Sequence, residues 1–238
     1  MVGKKENSVK CSDCLGREYG IFCDSTGDDL SKVSEHKIVN TYSKGQTLFV
    51  QGNPPYGMYC VSQGNIKVTK MGEDGREAIV RIATKGDVLG HRSLFTDQYY
   101  SATATALEDC VVCFLDKKFI LKMVQETPSI ATNLISKLGR DMGAAENRVA
   151  SMSQKNVRER LAELILLLKE SHGVVEEGRV RLDLKLPREE MASIIGTAPE
   201  TLIRFLSELK KEGFIAQEGK VLYLVDEKGL VDFANISY

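Results

Sequence analysis

The sequence predicts an α+β chain in three parts: an N-terminal β-roll, a long helix and a C-terminal winged helix-turn-helix. Three observations carry that prediction. Short β-rich runs cut by turn signals fill residues 36–116, an apolar stripe at helical spacing follows Pro128, and two short helical patterns meet at Gly196 ahead of a hairpin pattern.

At 238 residues the chain exceeds one average core, and its 42% hydrophobic and 27% charged residues are ordinary for a folded globular protein. The first 25 residues lack the apolar run of a signal peptide, and the longest oily stretch, 161–168, is interrupted by Glu163, so a cytoplasmic protein is expected. In that reducing compartment the six cysteines read as metal ligands or redox thiols before disulfides.

Residues 1–29 read as a polar, Cys-bearing arm without periodicity, and residues 30–127 as the β-roll. Inside the roll, Lys44-Gly45, Gly52-Asn53-Pro54-Pro55, Gly64-Asn65, Glu73-Asp74-Gly75 and Lys85-Gly86-Asp87 punctuate the strands expected at 57–62, 66–70, 77–82, 101–107 and 111–115. Asp74-Gly75 between apolar runs is a hairpin signal.

Residues 128–152 form the long helix. Leu134, Leu138, Met142, Ala145, Val149 and Met152 recur every three or four positions with no charge interrupting the stripe itself, which favours a seam against a second copy of the chain, a homodimer. The alternative is a helix packed on its own barrel. A further helix over 157–169 leads to Gly173 and a turn at Glu176-Glu177-Gly178.

Residues 153–238 hold the helix-turn-helix. Met191, Ile195, Leu202 and Phe205 supply its apolar positions, Ala192 the small residue where the helices cross, and Gly196 the tight turn. Pro187 and Gly213 bracket the pair, the second helix is expected over 198–211, and a hairpin through Gln217-Glu218-Gly219-Lys220 reads as the wing. This combination predicts DNA binding, with the start of the second helix in the major groove.

There, Glu200 can accept from a cytosine amino group and Arg204 can donate to guanine or a phosphate. Their bland readings are a Thr197–Glu200 capping box and a Glu200–Arg204 ion pair. Lys210, Lys211 and Lys220 are candidate phosphate contacts or solvated surface. Net charge is −1 overall, and residues 153–238 carry 13 Lys and Arg against 15 Asp and Glu, so any DNA contact must be a small local face.

Cys11 and Cys14, spaced two apart, are followed by eight residues and Cys23, with Cys110 and Cys113 on a later strand. Three local sulfurs and a distant one can complete a four-sulfur site; zinc or a thiol switch are the alternatives. Cys60 reads as a small core residue, His91 as a hydrogen-bonded histidine before a haem ligand, and His36 and His172 carry no motif. Glycine-rich phosphate loops, HExxH and nucleophile elbows are missing from the sequence, so an enzyme is not expected.

The order of parts, together with Lys44-Gly45-Gln46-Thr47-Leu48-Phe49, Gly64-Asn65-Ile66-Lys67-Val68, Gly86-Asp87-Val88-Leu89-Gly90, Lys155-Asn156-Val157-Arg158-Glu159-Arg160-Leu161-Ala162 and Glu200-Thr201-Leu202-Ile203-Arg204-Phe205, resembles the CRP/FNR family over nearly the whole chain. The resemblance implies a transcription regulator with a cyclic-nucleotide-binding-like β-roll, Glu200 and Arg204 at base-touching positions, a palindromic duplex operator and RNA polymerase as a partner. Pro199 before the Glu and Ile203, where the family often has Ser or Gly, depart from its pattern.

Cyclic-nucleotide members anchor the ribose with a Glu and the phosphate with an Arg. Here Gly90-His91-Arg92-Ser93-Leu94 and Tyr100-Ser101-Ala102 lack both, and Arg92 is expected to point away along an extended segment, so cyclic AMP is not the expected effector. The cysteines are similar to the iron-sulfur branch, which implies a 4Fe-4S cluster on Cys11, Cys14, Cys23 and Cys113, with Cys110 spare. Oxygen or nitric oxide is then the implied signal, read out by the long helix as a change in DNA-binding geometry. Thiol oxidation, haem and a small ligand stay open as effectors.

Overall fold

The computed structural model describes residues 10–14, 16–73, 75, 77–176, 178–184 and 186–235. It divides into two compact units, Met1–Met142 and Gly143–Tyr238.

In the first unit, single 3-10 turns at Cys11–Asp13 and Arg17–Tyr19 precede helix α1 (Gly27–His36). The strands follow: β1 (Ile38–Tyr42), β2 (Thr47–Phe49), β3 (Gly57–Gln63), β4 (Ile66–Met71), β5 (Glu77–Ala83) and β6 (Val88–Leu89). Helix α2 (His91–Thr96), strands β7 (Thr103–Ala106) and β8 (Cys110–Asp116), helix α3 (Lys117–Glu126) and the long helix α4 (Pro128–Gln154) complete the series. Two antiparallel sheets, ordered β1-β8-β3-β6 and β2-β7-β4-β5, form the expected β-roll. Leu48, Ile66, Val68, Ala104, Cys110 and Val112 fill one apolar core of this unit.

A second core joins the arm and the helices to the roll. Met58, Val88 and Leu115 meet Ile21, Phe22 and Val33 of the arm and α1, and Ile120, Met123, Ile130 and Leu134 of α3 and α4. Ile21 and Phe22 therefore make the described end of the arm part of the roll's packing. Its sequence hides this because the apolar residues are few and sit in turns too short for a period. Asp116 starts α3 by accepting from the Phe119 amide at 3.0 Å.

The second unit contains α5 (Val157–His172), β9 (Gly173–Glu176), β10 (Arg179–Leu182), α6 (Arg188–Ile195), α7 (Pro199–Lys211), β11 (Ile215–Glu218), β12 (Val221–Leu224) and α8 (Glu227–Phe233). Its sheet runs β11-β12-β10-β9. Asn156 caps α5 in a reciprocal box with Glu159, which fixes where α4 stops and α5 begins. Asp74 and Glu177, in the two expected turns, lie outside the described residues; the paired strands β4–β5 and β9–β10 flank them.

Helix α4 runs two residues past the expected 152, and the division into two compact units falls within it, after Met142. Two expectations are corrected here. The stripe on α4 is divided: Leu134 is 4% exposed in the roll's core and Leu138 packs at its edge, whereas Met142 is 62% and Val149 70% exposed. Only the later positions are open to a partner, and Ile135, 69% exposed, joins them seven residues before Met142. Finally, the segment carrying Arg92 is a helix, α2, not an extended stretch, so Arg92 reaches Ser101, donating to its hydroxyl at 3.4 Å.

The base of α4 is latched to the roll by charge. Asp141 accepts from Arg81 at 2.8 Å and Lys137 at 2.5 Å and lies 3.4 Å from the buried His91 ring, while Arg81 and Lys137 also reach Asp87 at 3.3 and 2.9 Å. Burial pushes the Asp141 carboxyl up, but the His91 hydrogen bond and the two cations outweigh it and hold it well below the usual carboxylate range. A depressed folded-state value contributes stability above the unfolded value of about 3.9 and loses it as pH falls toward the folded one. Asp141→Asn is expected to cost about 2–3 kcal/mol in urea unfolding of this unit at pH 7, with a shallower loss of stability below pH 4. A change under about 0.5 kcal/mol would show that the latch does not support the fold.

Candidate functional site

Two places gather the residues singled out from the sequence, one in each unit. In the second unit, α6 ends on Gly196 at φ 68° and ψ 53°, a left-handed turn, and α7 starts with Pro199 at its first position. Ala192 and Leu202 are fully buried where the helices cross. Two arginines clamp the turn: Arg148 donates to the Ile194 carbonyl and Arg160 to that of Ile195 at 2.9 Å. These carbonyls have no partner inside α6, so the arginines cap its end and fix the direction in which α7 leaves.

Leu206 and Leu209 fill the core under α7. Phe205, expected to plug it, is half-buried beneath the Arg158 guanidinium. Glu200, Ile203, Arg204, Ser207 and Lys211 fall at helical spacing on the exposed face, with Ile203 52% exposed. The two bland readings fail locally: the N-cap is Ala198, not Thr197, so no capping box forms, and Arg204 leans toward Glu208 at 3.9 Å rather than toward Glu200. Glu200 and Arg204 thus stand side by side on the exposed surface, an acceptor and a forked donor of the kind that reads base edges.

Lys210 and Lys211 are exposed in the last turn of α7, and Lys220 is exposed in the turn between β11 and β12, which form the expected wing. Arg179 lies over the Tyr223 ring at 3.9 Å and pairs with Glu218 at 2.6 Å, stiffening that hairpin.

In the first unit, a cavity of about 50 Å³ opens between arm and roll. That is several times the roughly 10–15 Å³ one water requires. Cys11, Cys14, Cys60 and Cys113 all line it. Gly16 lets the arm come this close, since a Cβ there would stand 2.8 Å from the Gly86 amide nitrogen. Cys11 accepts from Lys37 at 3.3 Å and Cys14 meets the Ser62 hydroxyl at 3.5 Å. Burial pushes the Cys113 thiol up, the Lys37 charge pulls it back, and Cys11 and Cys14 raise it further. The Cys60 thiol is also raised, first by burial and then by Cys113, Cys11 and Cys14. Ionising any one of these thiols makes the next harder to ionise, a cost that a cation in the cavity would reverse.

Cys23, expected with them, does not line the cavity. Its thiol accepts from Asn133 of α4 at 3.3 Å, and the same amide reaches Ile21 O and Asp24. Burial and then the Asp24 charge raise its pKa. Cys110 faces the other way on β8, its thiol directed at the Asn65 and Glu108 carbonyls. Cys60, read from the sequence as a core residue, does pack against the apolar cluster, and β3 also holds it directly opposite Cys113. The missing signal was the β3–β8 register, which is non-local.

Among the described residues, no three His, Cys, Asp or Glu side chains converge closely enough to hold a single metal ion. Zinc brings four sulfurs to about 2.3 Å from one point, whereas a four-iron cluster spreads its thiolates around a body of several atoms. An all-sulfur donor set is chemistry that both zinc and iron-sulfur clusters accept.

The cyclic nucleotide-binding domain family matches residues 39–127, and the Crp-like helix-turn-helix domain family matches residues 159–233. The chain is 29% identical to the transcriptional activator protein FnrL of Cereibacter sphaeroides, over 95% of this chain and 90% of that protein. It is 27% identical to a CRP-like cAMP-activated global transcriptional regulator of Mycobacterium tuberculosis, over 89% and 94%. The solved structure of FixK2 from Bradyrhizobium japonicum superposes with a TM-score of 0.76 at 22% identity, covering 85% of this chain and 99% of that one, a likeness of fold.

Arg204→Ala is expected to weaken binding to a preferred duplex DNA and to relax preference at one base pair by about 1–3 kcal/mol, read by titration against a panel of single-pair variants. Equal affinity for every duplex before and after the change would remove Arg204 from base reading.

Proposed function

The chain belongs to the CRP/FNR family of DNA-binding transcription regulators, and on that premise we propose that an iron-sulfur cluster between its arm and its β-roll sets its DNA binding. The observation that supports this reading is the cavity itself: Cys11 and Cys14 from the arm and Cys113 from β8 line one space. A bound cluster supplies gas-reactive, redox-active iron, so oxygen or nitric oxide is the proposed signal. Lys37, 3.3 Å from Cys11, provides a positive charge beside thiolates that ligation would leave negative.

The chain's own residues connect the cavity to α4. The arm residues Ile21, Cys23 and Asp24 all hold Asn133, one helical turn before Lys137 and two before Asp141, which bind the roll. A change in the arm therefore acts on the same stretch of helix that the charge latch holds. Beyond it, the exposed positions Met142, Ala145, Val149 and Met152 are proposed to close on a second copy, giving a homodimer. Such a dimer presents two α7 helices to a palindromic operator, with Pro199, Glu200, Ile203 and Arg204 toward the bases and Lys210, Lys211 and Lys220 toward phosphates. RNA polymerase is the proposed protein partner and the cytoplasm the proposed location; among the described residues no helix is long and apolar enough to cross a membrane.

One contact favours a second reading. Arg92 beside Ser101 puts a cation next to the position where cyclic-nucleotide members hold phosphate, and the M. tuberculosis relative is a cAMP-activated protein. Against it, His91 stands where the family's ribose-anchoring Glu is expected and lies 3.4 Å from Asp141.

Protein purified and kept under strict anaerobiosis is expected to carry iron and acid-labile sulfide with a visible absorption that bleaches in air. Iron-free protein after reconstitution, with calorimetric binding of cyclic AMP, would select the second reading. Met142→Glu is expected to raise the dimer dissociation constant at least about tenfold, some 1.4 kcal/mol, by sedimentation. A wild-type chain that sediments as a monomer at every concentration would refute the seam.

A further inference from the structure

The last turns of α4 present two faces, one residue out of step. Ala145, Val149 and Met152 are exposed and form the later part of the seam. Arg148, Ser151 and Lys155, again three and four positions apart, are half-buried and hold the DNA-binding unit. Arg148 donates to the Ile194 carbonyl in the last turn of α6. Ser151 and Lys155 both hold the Glu163 carboxylate of α5. Arg160 donates to the Lys155 carbonyl at 2.7 Å and to the Ile195 carbonyl at 2.9 Å, so the junction of α4 and α5 is tied to the same helix end. Met152 touches both faces, since a Cβ on Gly196 would meet its Sδ at 3.5 Å. Burial pulls the Arg148 pKa down and the Glu163 charge pulls it back. A methionine would fill the same space without the cost of desolvating a cation; what the arginine adds is a directed bond to the turn.

We propose that Arg148 is a positioning residue for DNA reading: it locks the end of α6, and through it α7, to the stretch of α4 that meets the second copy. The angle at which two copies meet along the seam is then copied directly to their two α7 helices. The half-site spacing that the dimer accepts is set by α4, α6 and α7 alone. This deepens the operator reading and rests on the proposed homodimer.

The test uses the full-length chain as wild type, Arg148→Met, which keeps the bulk and removes the donors, and Arg148→Lys, which keeps a donor. The probes are a palindromic duplex selected by the wild type from a random-sequence library, the same duplex with two base pairs inserted at its centre, and an unrelated duplex. Two extra pairs turn one half-site by about 70° relative to the other. Wild type and Arg148→Lys are expected to bind the lengthened duplex at least about tenfold more weakly than the selected one. Arg148→Met is expected to keep no more than about threefold of that preference, with its sedimentation and its affinity for the unrelated duplex unchanged. Circular dichroism melting checks that the variants fold. Should Arg148→Met not fold, the wild type decides: electron-electron resonance between copies spin-labelled at Ser207 without cysteine chemistry is expected to give one narrow distance in the absence of DNA, and a broad distribution overturns the proposal. A wild-type spacing preference in Arg148→Met, or the loss of its dimer, overturns the positioning role while leaving the dimer reading intact. A wild type that sediments as a monomer, or selects a duplex without two half-sites, overturns both.

Discussion

The pairing of β8 between β1 and β3 is the constraint on which the sensor unit depends. Side chains alternate along a strand, so this register sends Cys113 to the cavity and Cys110, three residues earlier, to the opposite face. A slip of one residue would exchange them and turn the wrong thiol toward the cavity. The same strand ends at Asp116, whose carboxylate starts α3, and α3 with α4 closes the core that holds the arm. Strand register, cavity chemistry and arm position are thus one decision made along β8.

The helix-turn-helix was legible because its determinants are local. Gly196, Ala192 and Leu202 act within a dozen residues of one another, and the structure puts each where its size or backbone freedom required. The strands were legible for the same reason, through turn residues at short spacing. What escaped the sequence depends on distant partners. Cys60 stands opposite Cys113, 53 positions away; Leu134 faces inward because the arm and α3 meet it there; Phe205 is half-buried with the guanidinium groups of Arg204 and Arg158 near its ring. α1 and α3 were missed because each is 10 residues long and half-buried, too short for a stripe to stand out.

Charge is distributed for positioning rather than for attraction. The second unit carries no excess of basic residues, and several of its arginines are spent internally: Arg148 and Arg160 on the end of α6, Arg158 on Glu208 and Glu212, Arg181 on Glu176 and Asp183. Such a surface has weak general affinity for a polyanion, so what discrimination it has must come from the few side chains on the exposed face of α7. In the first unit the half-buried ions around Asp141 do the analogous work, holding α4 against the roll by directed contacts.

Helix α4 lives in two solvents. Its first half is finished by its own chain, while Met142 and Val149 meet water in a single copy. If that surface closes on a second copy, the abundance of the protein in the cell enters its response by mass action, because the paired state grows with the square of the free chain. A cell holding few copies would then leave operators unoccupied whatever the state of the cysteines, and synthesis of the chain itself would be the first input the regulator reads.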